Sequence, residues 1–165
     1  MADLVLHPEP LTATGFAPFG EVIEIEGRAS RWINHGTCER FDDLARLDVC
    51  ADGGRPAISI FRAAPRTLPL ALRTLERHPL SSQAFYPLQP LPFLVVVAEP
   101  GPGPLRARVR AFLSSGRQGV NFRRNTWHHE LLALDQTSLF LVIDRGGPGE
   151  NCELMPIDGD AVCIA

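Results

Sequence analysis

The chain has 165 residues, 45% of them hydrophobic, and a formal net charge of −3 at pH 7. This length allows one domain with a core large enough to fold without disulfides or a structural metal. The longest apolar run, residues 93–98, is too short for a membrane-spanning helix, which needs about 20 residues. The arginines are scattered rather than clustered, which argues against a nucleic-acid surface. We therefore expect a single domain over residues 1–165 that binds neither a membrane nor nucleic acid.

Two further observations concern the compartment and the cysteines. The N-terminal sequence MADLVLHPEP has neither the basic start nor the apolar block of a signal peptide, so we expect a cytoplasmic protein. The four cysteines form no CxxC pair, so we expect reduced thiols rather than a disulfide framework or a thiolate zinc site.

The basic residues are the most selective feature of the composition, because all 16 are arginines and lysine is absent. Schiff-base chemistry, a phosphate-loop lysine and a lysine general base are thereby excluded. Guanidinium groups stay protonated and can bind a carboxylate through two parallel hydrogen bonds. The chemistry left to the basic residues is therefore the binding of anions such as carboxylates.

Most segments have the period-two pattern of β-strands, bounded by turns rich in the 15 prolines and 14 glycines. In chain order, the predicted strands lie at residues 20–27, 55–62, 93–99, 105–113, 138–147 and 161–165. The sequence EPGPGP is predicted to join two of them as a hairpin loop. Residues 67–78 instead carry leucines at helical spacing, so we expect a helix there. Many short strands with few helices predict an all-β fold, a closed or nearly closed β-barrel.

Two stretches carry side chains that can bind a metal or move a proton. The first, LERHPLSSQAFYP, contains Glu76, His78 and Gln83 at the spacing of the first cupin motif, His-x-His-x4-Glu, with Glu and Gln in the outer two positions. The second, GVNFRRNTWHHE, places His128 where the second cupin motif, Pro-x-Gly-x-x-His, has its histidine. Strand alternation turns His129 to the opposite side, so we expect His128 to work and His129 to pack.

The second stretch departs from the general motif, because Arg123 and Asn125 replace its proline and glycine. A barrel interior nevertheless brings side chains from non-adjacent strands into one cavity. Neutral imidazoles combined with an oxygen ligand suit Zn, Ni, Mn or Fe. The candidate metal ligands are Glu76, His78, Gln83 and His128.

Longer segments show a more specific similarity. The chain resembles the ureidoglycolate lyase family, formerly called ureidoglycolate hydrolase, in LERHPLSSQAFYPL, GVNFRRNTWHH and LVIDRGGPGENC. It also resembles this family in FAPFGEVIE, INHGTCERFDDLA, ISIFRAAP and the closing CIA, so the similarity runs in order over nearly the whole chain. The resemblance implies a cupin-like β-barrel, or double-stranded β-helix, with a few short helices.

The resemblance also implies a reaction, in which (S)-ureidoglycolate is split into glyoxylate and urea during allantoin degradation. It implies a homodimer and a divalent metal, with nickel as the leading candidate. Arg62 and Arg124 are then the candidates for binding the substrate carboxylate. His78 or His128 would move a proton, directly or by holding the metal, and Gln83 would orient the substrate or complete the metal shell.

Two other functions fit the same residues. One is another metal-dependent cupin enzyme, such as an isomerase or a dioxygenase. The other is a non-catalytic cupin that binds glyoxylate or a related small acid without turnover. No DNA-binding helix pair accompanies the predicted barrel, which counts against a stand-alone regulator. The segments that carry the site, rather than the fold, favour the lyase.

Overall fold

The computed structural model describes residues 4–165 and confirms the prediction of a mostly β protein. The described residues form seventeen short strands, one α-helical turn and three 3-10 turns. The strands are β1 (Leu4–Leu6), β2 (Glu9–Pro10), β3 (Gly20–Ile23), β4 (Arg31–Ile33), β5 (Cys38–Arg40), β6 (Arg55–Ala63), β7 (Leu70–Leu72), β8 (Thr74–Arg77), β9 (Gln83–Pro87), β10 (Phe93–Ala98), β11 (Val109–Leu113), β12 (Gly119–Phe122), β13 (Trp127–His128), β14 (Leu132–Ala133), β15 (Ser138–Gly146), β16 (Glu153–Pro156) and β17 (Val162–Ile164). The helical turns are α1 (Ala13–Phe16) and the 3-10 turns Asn34–Gly36, Ala51–Gly53 and Arg106–Arg108.

Two larger sheets and two smaller ones are built from these strands. The seven-stranded sheet has the order β16-β8-β13-β10-β11-β2, with β14 also paired to β10. The five-stranded sheet has the order β3-β12-β9-β15-β6, and the smaller sheets are β1-β17-β7 and the hairpin β4-β5. The described strands pair antiparallel except β1 with β17 and β2 with β11, and one isolated parallel bridge joins Pro65 to Ala133. Closure of the sheets into a cupin-like barrel stays a prediction.

The main core is formed jointly by the two larger sheets. The seven-stranded sheet supplies Phe93, Val95, Val97 and Phe112, and the five-stranded sheet supplies Val22, Phe85, Val120, Phe122, Phe140 and Val142. The alternate residues of β10, Leu94, Val96 and Ala98, belong instead to a second core on the other face of the seven-stranded sheet. Strand β10 is therefore buried on both faces, which explains its uninterrupted apolar sequence.

The prediction of a helix at residues 67–78 is wrong. Residues Leu70–Leu72 form β7 and residues Thr74–Arg77 form β8, which pair with β17 and β16. Leu72 and Leu75 are buried in the second core, and a helix with this leucine spacing would have buried them as well. The leucine spacing thus fits both structures, and pairing with strands from the C-terminal end of the chain decides between them.

The other strand predictions hold, several with shorter limits. The strand predicted for residues 20–27 ends at Ile23, and the one predicted for 105–113 begins only at Val109, after a 3-10 turn. The sequence EPGPGP is confirmed as the connection within the antiparallel pair β10–β11. The four cysteines are free thiols, as predicted. Within residues 4–165, no helix is long and apolar enough to cross a membrane.

Candidate active site

Three of the predicted ligands converge where β8 and β13 pair. His128 on β13 is the cross-strand partner of Glu76 on β8, and His78 follows β8 directly. One ligand-capable atom from each of the three residues lies within 4.8 Å of the others, and the His128 Nδ1 to Glu76 Oε1 distance is 3.9 Å. The structure therefore brings together Glu76, His78 and His128 as a group that could hold a metal ion. We call it the Glu–His group.

The imidazole of His128 is buried, with 1% of the residue exposed. Its Nδ1 lies 3.1 Å from the carbonyl oxygen of His129, so this nitrogen donates a hydrogen bond. The other nitrogen, Nε2, is buried and has no hydrogen-bond partner among residues 4–165. A buried polar atom left without a partner is costly, so the site has a nitrogen available for a ligand such as a metal ion. This observation fits the predicted metal.

The pKa of His128 distinguishes between its two predicted roles. Burial of the ring, reinforced by the nearby His78, lowers the pKa of His128 to about 3, against the opposing effect of the hydrogen bond to the His129 carbonyl. The ring is therefore neutral near pH 7. So weak a base is a poor proton acceptor, whereas the neutral imidazole is the form that binds a metal. This favours a ligand role for His128 over proton transfer.

His78 has a hydrogen-bond acceptor at each ring nitrogen. Its Nδ1 lies 2.6 Å from the carbonyl oxygen of Asn151, and its Nε2 lies 3.0 Å from Oε1 of Gln83. The carbonyl can only accept, so Nδ1 carries a hydrogen. If Nε2 also carries a hydrogen, it donates a hydrogen bond to Oε1 of Gln83. If Nε2 carries a lone pair instead, that lone pair needs either a metal ion or the NH2 group of a reversed Gln83 amide. Proton transfer and metal binding are therefore alternative uses of the same atom.

Gln83 connects the Glu–His group to a carboxylate that was not among the predicted site residues. Its Nε2 donates to Oδ2 of Asp144 on β15 at 3.5 Å. This contact favours the amide orientation in which Oε1 faces His78. Asp144 lies in the segment LVIDRGGPGENC, so the family resemblance was the signal that could have identified it.

The consecutive residues Asn151 and Cys152 support the group from the loop that precedes β16. The Asn151 side chain accepts a hydrogen bond from the Leu80 N–H at 2.8 Å and donates one to Ser81 Oγ at 2.9 Å. The Cys152 thiol donates to Oε2 of Glu76 at 3.7 Å. Burial, followed by the negative charge of Glu76, raises the pKa of the Cys152 thiol, so it stays protonated as a donor. This loop thus contacts two members of the Glu–His group, Glu76 through the Cys152 thiol and His78 through the Asn151 carbonyl.

A cleft of about 460 Å³ adjoins the group, and we call it the inner cleft. It is lined by Phe61, Arg62, Ala63, Glu76, Gln83, Phe85, Glu130 and Leu131. The guanidinium of Arg62 has no hydrogen-bond or ion-pair partner among the described residues, so it is available for an anion. Neither His78 nor His128 lines the cleft; they adjoin Gln83 and Glu76, which do.

Arg124 is a predicted site residue that lies at neither the Glu–His group nor the inner cleft. Its Nη2 donates to Oδ1 of Asp48 at 2.8 Å. It lines a different cleft, together with Asn121 of β12. Any carboxylate that Arg124 binds would therefore lie in that second cleft.

The turn before His128 shows how the substituted cupin motif keeps its shape. Asn125 has a φ of +66°, in the left-handed region that favours glycine, and asparagine is among the non-glycine residues that adopt it most readily. The Asn125 N–H donates to the His78 carbonyl at 3.1 Å, and the Thr126 N–H donates to the Arg123 carbonyl at 3.0 Å. Asparagine thus replaces the motif glycine in conformation, and the turn ties one ligand-bearing segment to the other.

These features define a class of protein. A mostly β fold places a Glu–His group beside a cleft that carries polar anchors and a free guanidinium, and such an arrangement is typical of an enzyme acting on a small anionic substrate.

Sequence comparisons narrow this class to one family. The family model described as ureidoglycolate lyase matches residues 3–163. The chain is 52% identical over 155 residues to the ureidoglycolate lyase of Burkholderia cepacia, covering 93% of this chain and 87% of that protein. It is 56% identical over 149 residues to the ureidoglycolate lyase of Brucella melitensis biotype 2, covering 90% of this chain and 87% of that protein. The chain belongs to the ureidoglycolate lyase family, which confirms the resemblance.

Proposed function

We propose that this chain is an enzyme that cleaves (S)-ureidoglycolate to glyoxylate and urea in allantoin degradation. The observation that carries the proposal is the similarity to a ureidoglycolate lyase at 52% identity over 93% of the chain. The inner cleft supports it, because its lining includes a cation for the substrate carboxylate, an amide for positioning and carboxylates for proton transfer.

Arg62 is proposed to bind the substrate carboxylate. It lines the inner cleft on the edge strand β6, and its guanidinium has no partner within residues 4–165. A guanidinium and a carboxylate form paired, charge-assisted hydrogen bonds, which fix orientation as well as affinity. The reacting carbon is bonded directly to this carboxylate, so the contact places it within the cleft.

Elimination of urea moves one proton and breaks one bond. The hydroxyl group loses its proton, its electron pair forms the aldehyde of glyoxylate, the C–N bond breaks, and the urea nitrogen gains a proton. Glu76 and Glu130 are the acids that line the inner cleft, and the side chain of Glu76 is the more buried, at 26% exposed against 64%. We assign Glu76 as the group that accepts the proton and returns it, a role worth about 10²–10⁴-fold in rate.

Glu76, His78 and His128 would also hold the divalent metal, and the family resemblance points to nickel. When bound, the metal supplies Lewis-acid stabilisation of negative charge on a substrate oxygen. The two histidines then contribute as ligands, which agrees with their position outside the lining of the inner cleft. Gln83 orients the ureido group or completes the ligand set.

The proposal has three remaining parts, of which the homodimer rests on the family resemblance alone. They are a single cupin-like domain, a homodimer and a cytoplasmic location. Sedimentation equilibrium tests the dimer, because a mass near 36 kDa is expected from the 18.1 kDa chain.

The experiment that tests the reaction is glyoxylate release from racemic ureidoglycolate, corrected for spontaneous breakdown. The proposal expects rapid release from half of the substrate, with one urea formed for each glyoxylate and no oxygen consumed. Oxygen consumption would point to a dioxygenase. Binding of glyoxylate without any release from ureidoglycolate would point to a non-catalytic module, and either result would contradict the proposal.

A further inference from the structure

A second cleft lies on the face of the five-stranded sheet that points away from the main core, and we call it the outer cleft. Its volume, about 450 Å³, is close to that of the inner cleft. It is lined by Glu21, Arg46, Asp48, Ser82, Asn121, Arg123 and Arg124. Its lining is thus rich in charged and hydrogen-bonding groups, and it includes three arginines and two carboxylates.

Strand alternation separates the two clefts. Asn121 lines the outer cleft, whereas its neighbour Phe122 lies in the main core and stacks on His128. In the same way, Ser82 lines the outer cleft and the next residue, Gln83, lines the inner one. The two clefts therefore lie back to back across the sheet, and a ligand in one does not occupy the other.

Asn121 is the first sign that the outer cleft is built for a ligand. The residue is 1% exposed, and its Nδ2 donates to Oε2 of Glu21 at 2.8 Å and to the Arg46 carbonyl at 2.9 Å. These two acceptors fix the amide orientation, because a reversed amide would face them with oxygen. Its Oδ1 is left buried and without a partner among residues 4–165, although a buried acceptor normally has a donor.

The arginines of the outer cleft supply unused hydrogen-bond donors, which complement the unused acceptor. Arg124 uses Nη2 for Asp48, but its Nε is buried and has no partner among the described residues. The guanidinium of Arg46 has no partner within residues 4–165, and that of Arg123 has one contact, from Nη2 to the Ala17 carbonyl at 3.3 Å. One cleft therefore combines an unused acceptor with several unused guanidinium donors.

We propose that the outer cleft binds a small monocarboxylate that also carries an N–H or O–H donor. The guanidinium groups match a carboxylate, and the Oδ1 of Asn121 matches the donor. Three arginines against two carboxylates leave the lining with one net positive charge, which suits a monoanion better than a dianion. An apolar ligand would leave these groups desolvated and unpaired.

The test uses N-carbamoylglycine as the probe, because it has a carboxylate and ureido N–H groups but no hydroxyl and so cannot undergo the elimination. Binding is followed by ¹H–¹⁵N correlation NMR at the Arg124 Nε–H and the Asn121 side-chain amide. The Gln83 side-chain amide reports the inner cleft in the same spectra. The readout needs no turnover, so it is independent of the proposed lyase reaction.

The expected result is saturable shifts at Arg124 Nε–H and the Asn121 amide. The double variant Arg46→Gln/Arg123→Gln should weaken that binding by about tenfold or more, because charge-assisted hydrogen bonds are lost. The control Arg108→Gln removes an exposed arginine that pairs with Glu99 and should leave the affinity unchanged. 4-Methylpentanoate, which has the same heavy-atom connectivity but lacks the N–H donors and the ureido carbonyl, should bind more weakly than the probe.

Shifts confined to Gln83 would overturn the proposal, since the probe would then occupy the inner cleft alone. Shifts at Arg124 and Asn121 that the double variant leaves unchanged would also overturn it. Equal binding of 4-methylpentanoate would contradict the assignment of the Asn121 oxygen as the acceptor for a ligand donor.

Discussion

His128 and Phe122 stack ring on ring, with centroids 4.1 Å apart and an angle of 3° between their planes. The stack covers one face of the imidazole with a core phenylalanine, and the ring of His78 lies at a centroid distance of 5.1 Å from that of His128. Burial of the ring, followed by the nearby His78, disfavours a positive charge on His128. The packing of the main core therefore keeps His128 in the neutral form that a metal requires.

The pH dependence of the free energy of unfolding should show that His128 is neutral in the folded protein. The folded pKa of His128, about 3, lies below its unfolded value near 6.5, so the unfolded chain binds the proton more tightly. His128 therefore contributes stability above pH 6.5 that is lost as the pH falls toward 3, at up to about 1.4 kcal/mol per pH unit. Urea unfolding of metal-stripped protein between pH 7.5 and 4.5 measures the slope. His128→Gln lacks this contribution, so parallel slopes in the two proteins would contradict the assignment.

Arg62→Gln should lower kcat/KM by about 10–100-fold, because the substrate carboxylate loses a charge-assisted pair of hydrogen bonds. Much of the loss should appear as a higher KM, and Arg62→Lys should recover only part of it. Steady-state kinetics of glyoxylate release measures both constants. Arg108→Gln, which removes an arginine from an exposed ion pair, is the matched control. An unchanged KM in Arg62→Gln would refute the carboxylate-binding role.

Asn151→Ala should weaken metal binding by about 10–100-fold, since its side chain holds the turn at Leu80 and Ser81 that follows His78. Asn151→Asp keeps the acceptor for the Leu80 N–H and should lose less. Calorimetric titration with Ni²⁺ measures the affinity without turnover. Gln89→Ala removes a comparable side-chain acceptor, that of the Leu139 N–H, and is the control for general loosening. Equal metal affinities in Asn151→Ala and Gln89→Ala would contradict a positioning role.

The turn at Asn125 gives a prediction about stability alone. Its positive φ strains a β-branched side chain, so Asn125→Val should lower the free energy of unfolding by about 1–2 kcal/mol. Asn125→Gly adopts the same backbone without strain and should stay close to the original. Urea unfolding of the two variants side by side makes the comparison. Equal losses in both would show that the side chain, rather than the backbone conformation, matters at this position.

The sequence predicts correctly the features that depend on the alternation of side chains along a strand. The period-two rule predicted that His128 faces inward, and its burial confirms this. The spacing of Glu76, His78 and the later histidine correctly selected the residues that converge in the Glu–His group. The helix predicted for residues 67–78 failed because leucine spacing does not reveal the strands that β7 and β8 pair with.

The parts of the site that sequence reasoning missed depend on contacts between distant segments. Asp144 approaches Gln83 only because β15 and β9 are neighbours in the five-stranded sheet. Arg124 lies two residues after the end of β12. Its ion pair with Asp48 holds it at the outer cleft, whereas Arg62 lies at the inner cleft. No local pattern indicates on which face of the sheet a long side chain after a strand end will settle.

The measurement that tests the central claim most directly is the restoration of lyase activity by metal. Protein stripped with a chelator would be titrated with Ni²⁺ while bound metal and glyoxylate release are measured together, with His128→Gln and Glu76→Gln alongside. If Glu76, His78 and His128 hold the metal, activity should be lost on stripping and should return in proportion up to one metal per chain, and neither variant should bind or recover. Full activity in the thoroughly stripped protein would contradict the claim.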